Sequence, residues 1–185
     1  MNAFFISNNL KKESFFPNIN LRKLSYYSDS NIRDSRDQKY NLTYLSGNKK
    51  MKEILNEKIK HRESFRPFAP SIMEEYISDY FEIDIPSPYM LMVAKIKQPE
   101  KIPAVTHVDG TGRLQSVSKD SNPLYYDLIN EFYKITNVPV IINTSMNVMG
   151  EPIVNTPEQA YNMVLKTDMD CIVLGNNIIF AKENK

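Results

Sequence analysis

The sequence predicts an α/β chain built around a mixed sheet. Three observations carry that prediction. From residue 50 onward, helical and strand periodicities alternate. Asn122-Pro123 and Thr156-Pro157 each mark a helix start with proline at the first helical position. The run 138–142 is short and fully apolar, as suits a strand at a sheet centre covered on both faces.

Residues 1–50 hold eight Asn, seven Ser and a single Gly, with nine Lys/Arg against four Asp/Glu. They show no sustained period, so residues 1–40 are expected to be a polar arm or a divergent start to the domain that follows. At 50–60, Met51, Ile54, Leu55 and Ile59 recur at helical spacing and predict an amphipathic helix. On it Lys58 and Arg62 would share a face. Pro67 and Pro70 end that period and favour an extended segment over 66–72. Ser71, with Glu74 three residues on, predicts a capping box and a second helix to about Phe81.

Pro86 and Pro88 mark a loop, and 89–96 reads as a strongly apolar strand. Segments 103–108 and 113–117 flank Asp109-Gly110-Thr111-Gly112, which predicts a hairpin. Leu124, Leu128, Ile129, Phe132 and Tyr133 supply the apolar face of the helix that Asn122 caps. Thr156 and Gln159 form a capping box for a helix ending near Lys166. Segments 171–174 and 178–181 close the chain as a hairpin.

Composition narrows the function. Lys+Arg 23 against Asp+Glu 22 leaves a net charge of +1, no general attraction to nucleic acid or an anionic membrane. A single cysteine, Cys171, excludes a disulfide framework, and with only His61 and His107 no transition-metal centre is expected. Cys171 itself reads as a small buried hydrophobe. No apolar run reaches the length of a membrane span, and the apolar start at 3–6 is too short for a signal-peptide core. The expectation is a cytoplasmic protein. The glycine patterns of a P-loop or dinucleotide turn are absent, so a nucleotide would be held another way.

Three constellations could do chemistry. Lys58, Lys60, Arg62 and Arg66 cluster where a helix gives way to an extended segment, and four cations there could hold phosphate, or simply face water. The apolar strand 138–142 runs into Asn143-Thr144-Ser145-Met146-Asn147. Small hydroxyls and amides at a strand's carboxyl end can bind phosphate or carbonyl oxygen, though the same residues also favour turns. Ser145 has no His/Asp pair nearby in sequence and is not read as a nucleophile. Thr106, His107 and Arg113 flank the expected hairpin turn. Arg113 is the candidate anion ligand there, and His107 is either an acid/base group or a hydrogen-bonded strand residue.

Together these segments form an ordered set. Lys-x-Arg-Glu-x-Phe-Arg-Pro-Phe-Ala-Pro-Ser at 60–71, Ala-Val-Thr-His-Val-Asp-Gly-Thr-x-Arg at 104–113, Pro-Val-x-x-Asn-Thr-Ser-x-Asn at 139–147 and Gly-Glu-Pro-Ile-Val-x-Thr-Pro at 150–157 resemble the C-terminal domain of the antibiotic- and nodulation-type O-carbamoyltransferases. The resemblance covers about residues 41–182. It implies a YrdC-like fold, a twisted mixed sheet flanked by helices with a concave basic face. It further implies binding of ATP, with Mg²⁺, and of carbamoyl phosphate, and formation of carbamoyl adenylate. A separate sugar-kinase-like domain would then pass the carbamoyl group to an acceptor hydroxyl. Matched by position, Lys60, Arg66, Arg113 and Ser145 would carry the chemistry. Arg62, Thr106, His107, Asn143 and Asn147 would complete the ligand-binding set, with no metal ligand among them.

Two departures qualify the resemblance. Asn41-Leu42-Thr43-Tyr44-Leu45 resembles the family's Asn-Arg-Ser-Ile-Leu block, but 35–40 does not reproduce the Gly-Pro-Arg-Ala-Leu-Gly motif before it, and Arg36 is a weak stand-in for its arginine. The sequence also shows no transfer domain, so full transfer is expected to need a partner. The rival expectations are a non-catalytic nucleotide- or anion-binding subunit, and a truncated remnant of a carbamoyltransferase. RNA binding is a third, disfavoured by the balanced charge and by the lack of an aromatic platform.

Overall fold

Pro67 and Pro70 deliver the chain extended into β1 (Ala69–Met73), which the computed structural model buries along its whole length. The structure describes residues 46, 47, 49–169, 171–174 and 177–180. The expected arm 1–40, the 41–45 block, Arg36 and the side chain of Cys171 lie outside the described residues. The fold is mixed α/β, as predicted, and the chain divides into two compact units. One contains residues 43–53 and 65–144, the other 54–64 and the residues from 145 on.

Among the described residues of the first unit, β1 is the middle strand of three. It runs parallel to β4 (Gln115–Val117) and antiparallel to β5 (Val140–Asn143). The apolar run at 138–142 was expected to lie at the sheet centre; among the described residues β5 pairs with β1, and β1 is the strand with a neighbour on each side. Val140 and Ile141 are still buried, because α3 (Pro123–Thr136) packs across β1 and β5. That helix buries Tyr125, Leu128, Ile129 and Phe132, spaced to share one face. Asn122 caps it, accepting from the Tyr125 amide, and Pro123 opens it. Leu124, expected on the apolar face, is 67% exposed.

Ser71 is not a helix cap. It stands in the middle of β1, fully buried, and its hydroxyl serves neighbouring side chains instead. The helical stretch starts later, as a 3₁₀ turn at Glu74–Tyr76 leading into α2 (Ile77–Tyr80). The apolar segment 89–96 also forms less strand than expected. Met90 adopts a left-handed backbone at φ 55°, which breaks any strand there, and only β2 (Val93–Lys95) remains.

β2 pairs antiparallel with β3 (Thr111–Arg113), so the hairpin expected between 103–108 and 113–117 does not form. Pro103 lacks an N–H and opens a 3₁₀ turn at Pro103–Val105. Asp109-Gly110 then makes a local turn, closed by the His107 amide on the Thr111 carbonyl (2.8 Å) and the Gly110 amide on the His107 carbonyl (3.0 Å). Gly110 holds φ 78°, open to glycine at little cost. Gly112 is needed for space: a Cβ there would lie 2.9 Å from Ile96 Cδ1 and 3.3 Å from Phe81 Cε1.

A helix was expected over 50–60, and the chain is helical there with a change of winding. α1 (Met51–Ile54) passes into a π turn, Leu55–Lys60. His61 ends it in the left-handed region at φ 49°, with its Nδ1 3.0 Å from the Glu57 carbonyl. Lys58 and Arg62 therefore do not share a helical face, because the helix stops between them. α4 (Pro157–Lys166) has the predicted capping box, with the Thr156 hydroxyl on the Gln159 amide and the Gln159 side chain reaching back. It buries Ala160, Met163 and Val164. β6 (Cys171–Leu174) and β7 (Asn177–Phe180) form the expected closing hairpin.

Candidate functional site

The π turn sets the position of Lys60. Fully buried Asn56 accepts from Arg62 Nε through Oδ1 (2.7 Å) and donates to the Ser64 carbonyl through Nδ2 (3.1 Å). The loop after the helix is thereby folded back onto it, and the Lys60 carbonyl receives the Met149 amide at 2.9 Å.

The Lys60 side chain, only 3% exposed, turns inward to the Ser145–Asn147 turn. Its Nζ donates to the Ser145 carbonyl at 2.5 Å, to Asn147 Oδ1 at 2.9 Å and, more loosely, to Ser145 Oγ at 3.4 Å. The exposed Ser145 hydroxyl gives its own proton to Asn147 Oδ1 (2.6 Å), and Asn147 Nδ2 holds the Glu151 carbonyl (3.0 Å). Burial, with the Arg62 charge second, lowers the Lys60 pKa from 10.5 to about 8. A group with that value is still about nine-tenths charged at pH 7. Lys60, Ser145 and Asn147, predicted from segments far apart in sequence, thus meet within one unit. Arg62 is tied to Asn56.

The first unit holds the remaining predicted residues. Arg66 lies exposed on the extended approach to β1, and Arg113 is the exposed last residue of β3. The Thr106 hydroxyl is committed to the Ile102 carbonyl at 2.9 Å. His107 Nδ1 lies 3.1 Å from Thr111 Oγ1, whose single proton goes to Asp109 Oδ1 at 2.7 Å. A carboxylate only accepts, so the imidazole must donate from Nδ1 and keep its lone pair on Nε2. Burial is the main cause lowering the His107 pKa; Arg113 and Lys52 add to this and Asp109 opposes it. The neutral ring is therefore favoured. Two hydrogen bonds from Thr111 in turn hold the Asp109 carboxyl below its usual range. His107 and Arg113 do flank the turn, His107 through its amide on the Thr111 carbonyl and Arg113 as the last residue of β3.

Asn143 ends β5, and its Nδ2 donates to Gln115 Oε1 at 2.5 Å. The same oxygen accepts from Ser71 Oγ (2.9 Å), which accepts in turn from the Tyr125 hydroxyl (2.8 Å). Sequence reasoning missed Gln115, Tyr125 and the place of Ser71 in this chain. The available signal was polar residues inside segments that must be strands, where a buried polar group needs a partner. Asn56 was missed as well, for want of any reason to expect a buried amide on that helix. Among the described residues, no three His, Cys, Asp or Glu side chains come together to hold a metal. Nor is any described helix long and apolar enough to cross a membrane.

Comparison with known proteins agrees with the ordered blocks. Residues 42–181 match the family model described as carbamoyltransferase C-terminus. The chain is 46% identical over 157 residues to an uncharacterised protein of Synechocystis sp., covering 73% of this chain and 25% of that one. It is 44% identical over 129 residues to nodulation protein NolO of Bradyrhizobium diazoefficiens, covering 67% and 24%. To nodulation protein NolNO of Sinorhizobium fredii it is 42% identical over 133 residues, covering 69% and 20%. The chain thus spans about a quarter of the length of the curated relatives it matches. It belongs to the carbamoyltransferase C-terminal family.

Proposed function

We propose that this domain binds ATP and carbamoyl phosphate and forms carbamoyl adenylate, from which a separate domain passes the carbamoyl group to an acceptor hydroxyl. The observation that carries the reading is the buried Lys60 ammonium held against Ser145 and Asn147. A fixed cation beneath an exposed hydroxyl is suited to an anion whose charge moves during reaction, since little reorganisation is needed when it does.

Atom balance defines the step. Hydrolysis of carbamoyl phosphate yields carbamate and phosphate. A carbamate oxygen then attacks the α-phosphorus of ATP, the bond to the β-phosphate oxygen breaks, and pyrophosphate leaves with the electron pair. Lys60 offsets charge on the phosphoryl oxygens. Ser145 and Asn147 orient by hydrogen bonding and do not attack. By their match to family positions, Arg66 and Arg113 are further candidates for phosphate recognition, as guanidinium groups suit. Magnesium would arrive with ATP and offset phosphate charge; among the described residues no cluster of His, Cys, Asp or Glu side chains is placed to hold it.

The test is release of pyrophosphate from ATP that depends on added carbamoyl phosphate. Release by the wild-type chain that is lost in Lys60→Met supports the reading. Saturable binding without release identifies a non-catalytic nucleotide-binding subunit instead.

A further inference from the structure

The hydrogen bonds behind Asn143 assign the direction of its amide. Gln115 Nε2 points at the Pro88 carbonyl (3.3 Å), which can only accept, so the nitrogen of that side chain belongs there. Its Oε1 must then face Ser71 and Asn143. The buried Tyr125 hydroxyl, whose pKa burial raises to about 12, donates to Ser71. Ser71 passes its own proton on to Gln115 Oε1. Every direction in the chain is thereby settled, and Asn143 can meet Gln115 only with its NH₂ group. The same nitrogen lies 3.9 Å from Met90 Sδ, so both its protons turn inward. Among the described residues no donor meets Asn143 Oδ1, and the side chain is half-buried at the end of β5.

Such an atom is an acceptor at the mouth of the strand. It repels phosphate oxygens and favours an N–H. We infer that Asn143, aligned by Gln115, reads the amino group of the carbamoyl moiety and thereby selects a carbamoyl over an acyl phosphate. Asn143 is the residue that touches substrate, and Gln115 is a positioning residue. The inference rests on the proposed binding of carbamoyl phosphate.

Acetyl phosphate is the informative probe, because it replaces the amino group by methyl and keeps the phosphate. Titration calorimetry of the wild-type chain with each compound should give about a tenfold preference for carbamoyl phosphate, the effect of one half-buried hydrogen bond left unmade. Asn143→Ala and Gln115→Met should each bring the ratio to about one, while affinity for inorganic phosphate changes little. Folding damage alone would weaken all three ligands together and leave the ratio intact. A wild-type ratio near one overturns the inference and leaves the proposed function standing. A ratio retained in both variants also overturns it. Failure of the wild-type chain to bind either compound removes the proposed function, and this inference with it.

Discussion

Lys60 Nζ donates to the backbone carbonyl of Ser145, 85 residues further along the chain, at 2.5 Å. This contact and the bond to Asn147 Oδ1 join the end of a π turn to the loop that follows β5. The lysine holds the turn and, under the proposed function, also supplies charge to the ligand.

Lys60→Met should reveal both. It leaves the Ser145 carbonyl and Asn147 Oδ1 without their buried donor, so stability in urea should fall by about 1–3 kcal/mol. Affinity for ATP or carbamoyl phosphate should fall at least tenfold. A folded variant with unchanged affinity for both removes Lys60 from the site.

The lowered Lys60 pKa separates binding from stability in their pH dependence. The ammonium is charged below about pH 8 and neutral above it, so affinity for anionic ligands should decline as pH rises through 8. Lys60→Met should show no such decline. Stability moves the other way. The unfolded chain keeps this proton up to about 10.5, so between 8 and 10.5 it binds more protons than the folded one, and this group's contribution to stability rises with pH. Calorimetric titrations at pH 7, 8 and 9, beside thermal melts, check both signs.

Gly112→Ala should destabilise the chain by about 1–2 kcal/mol, because its Cβ would crowd Ile96 and the fully buried ring of Phe81. Removing Ile96 Cδ1 relieves the closest contact, so Ile96→Val should recover part of that loss in the double variant. Equal melting temperatures for wild type and Gly112→Ala would show that β3 has room to spare.

Thr156→Ala removes one half of the capping box on α4 and should cost about 1 kcal/mol, read as a shift of the urea midpoint. Binding should be unaffected.

Local chemistry was legible where a residue acts on its own neighbours. Asn122-Pro123 and Thr156-Pro157 announce their helices because caps and prolines work within one turn. The two apolar runs at 138–142 and 171–174 announce strands for a similar reason. What failed was pairing at a distance. The Asp109-Gly110 turn was visible, but nothing local says that β2, rather than the chain just before the turn, takes up β3. Ser71 misled because the same Ser-x-x-Glu pattern serves as a cap or disappears into a strand, and burial decides which. Among candidate site residues, Lys60 was singled out in one segment and Ser145 and Asn147 in another, and the structure brings the three side chains together. The inward turn of Lys60 onto Ser145 was not foreseen, since a basic run gives no sign of which cation will be buried.

The central claim is that the Lys60–Ser145 cluster is a live anion site for carbamoyl activation. The most direct measurement is calorimetric titration of the chain with ATP–Mg²⁺ and then carbamoyl phosphate, beside Lys60→Met and Arg113→Ala. The account predicts saturable binding of both ligands by the wild-type chain and a loss of at least tenfold in each variant. No binding by the folded wild-type chain, or equal binding by all three proteins, would contradict it.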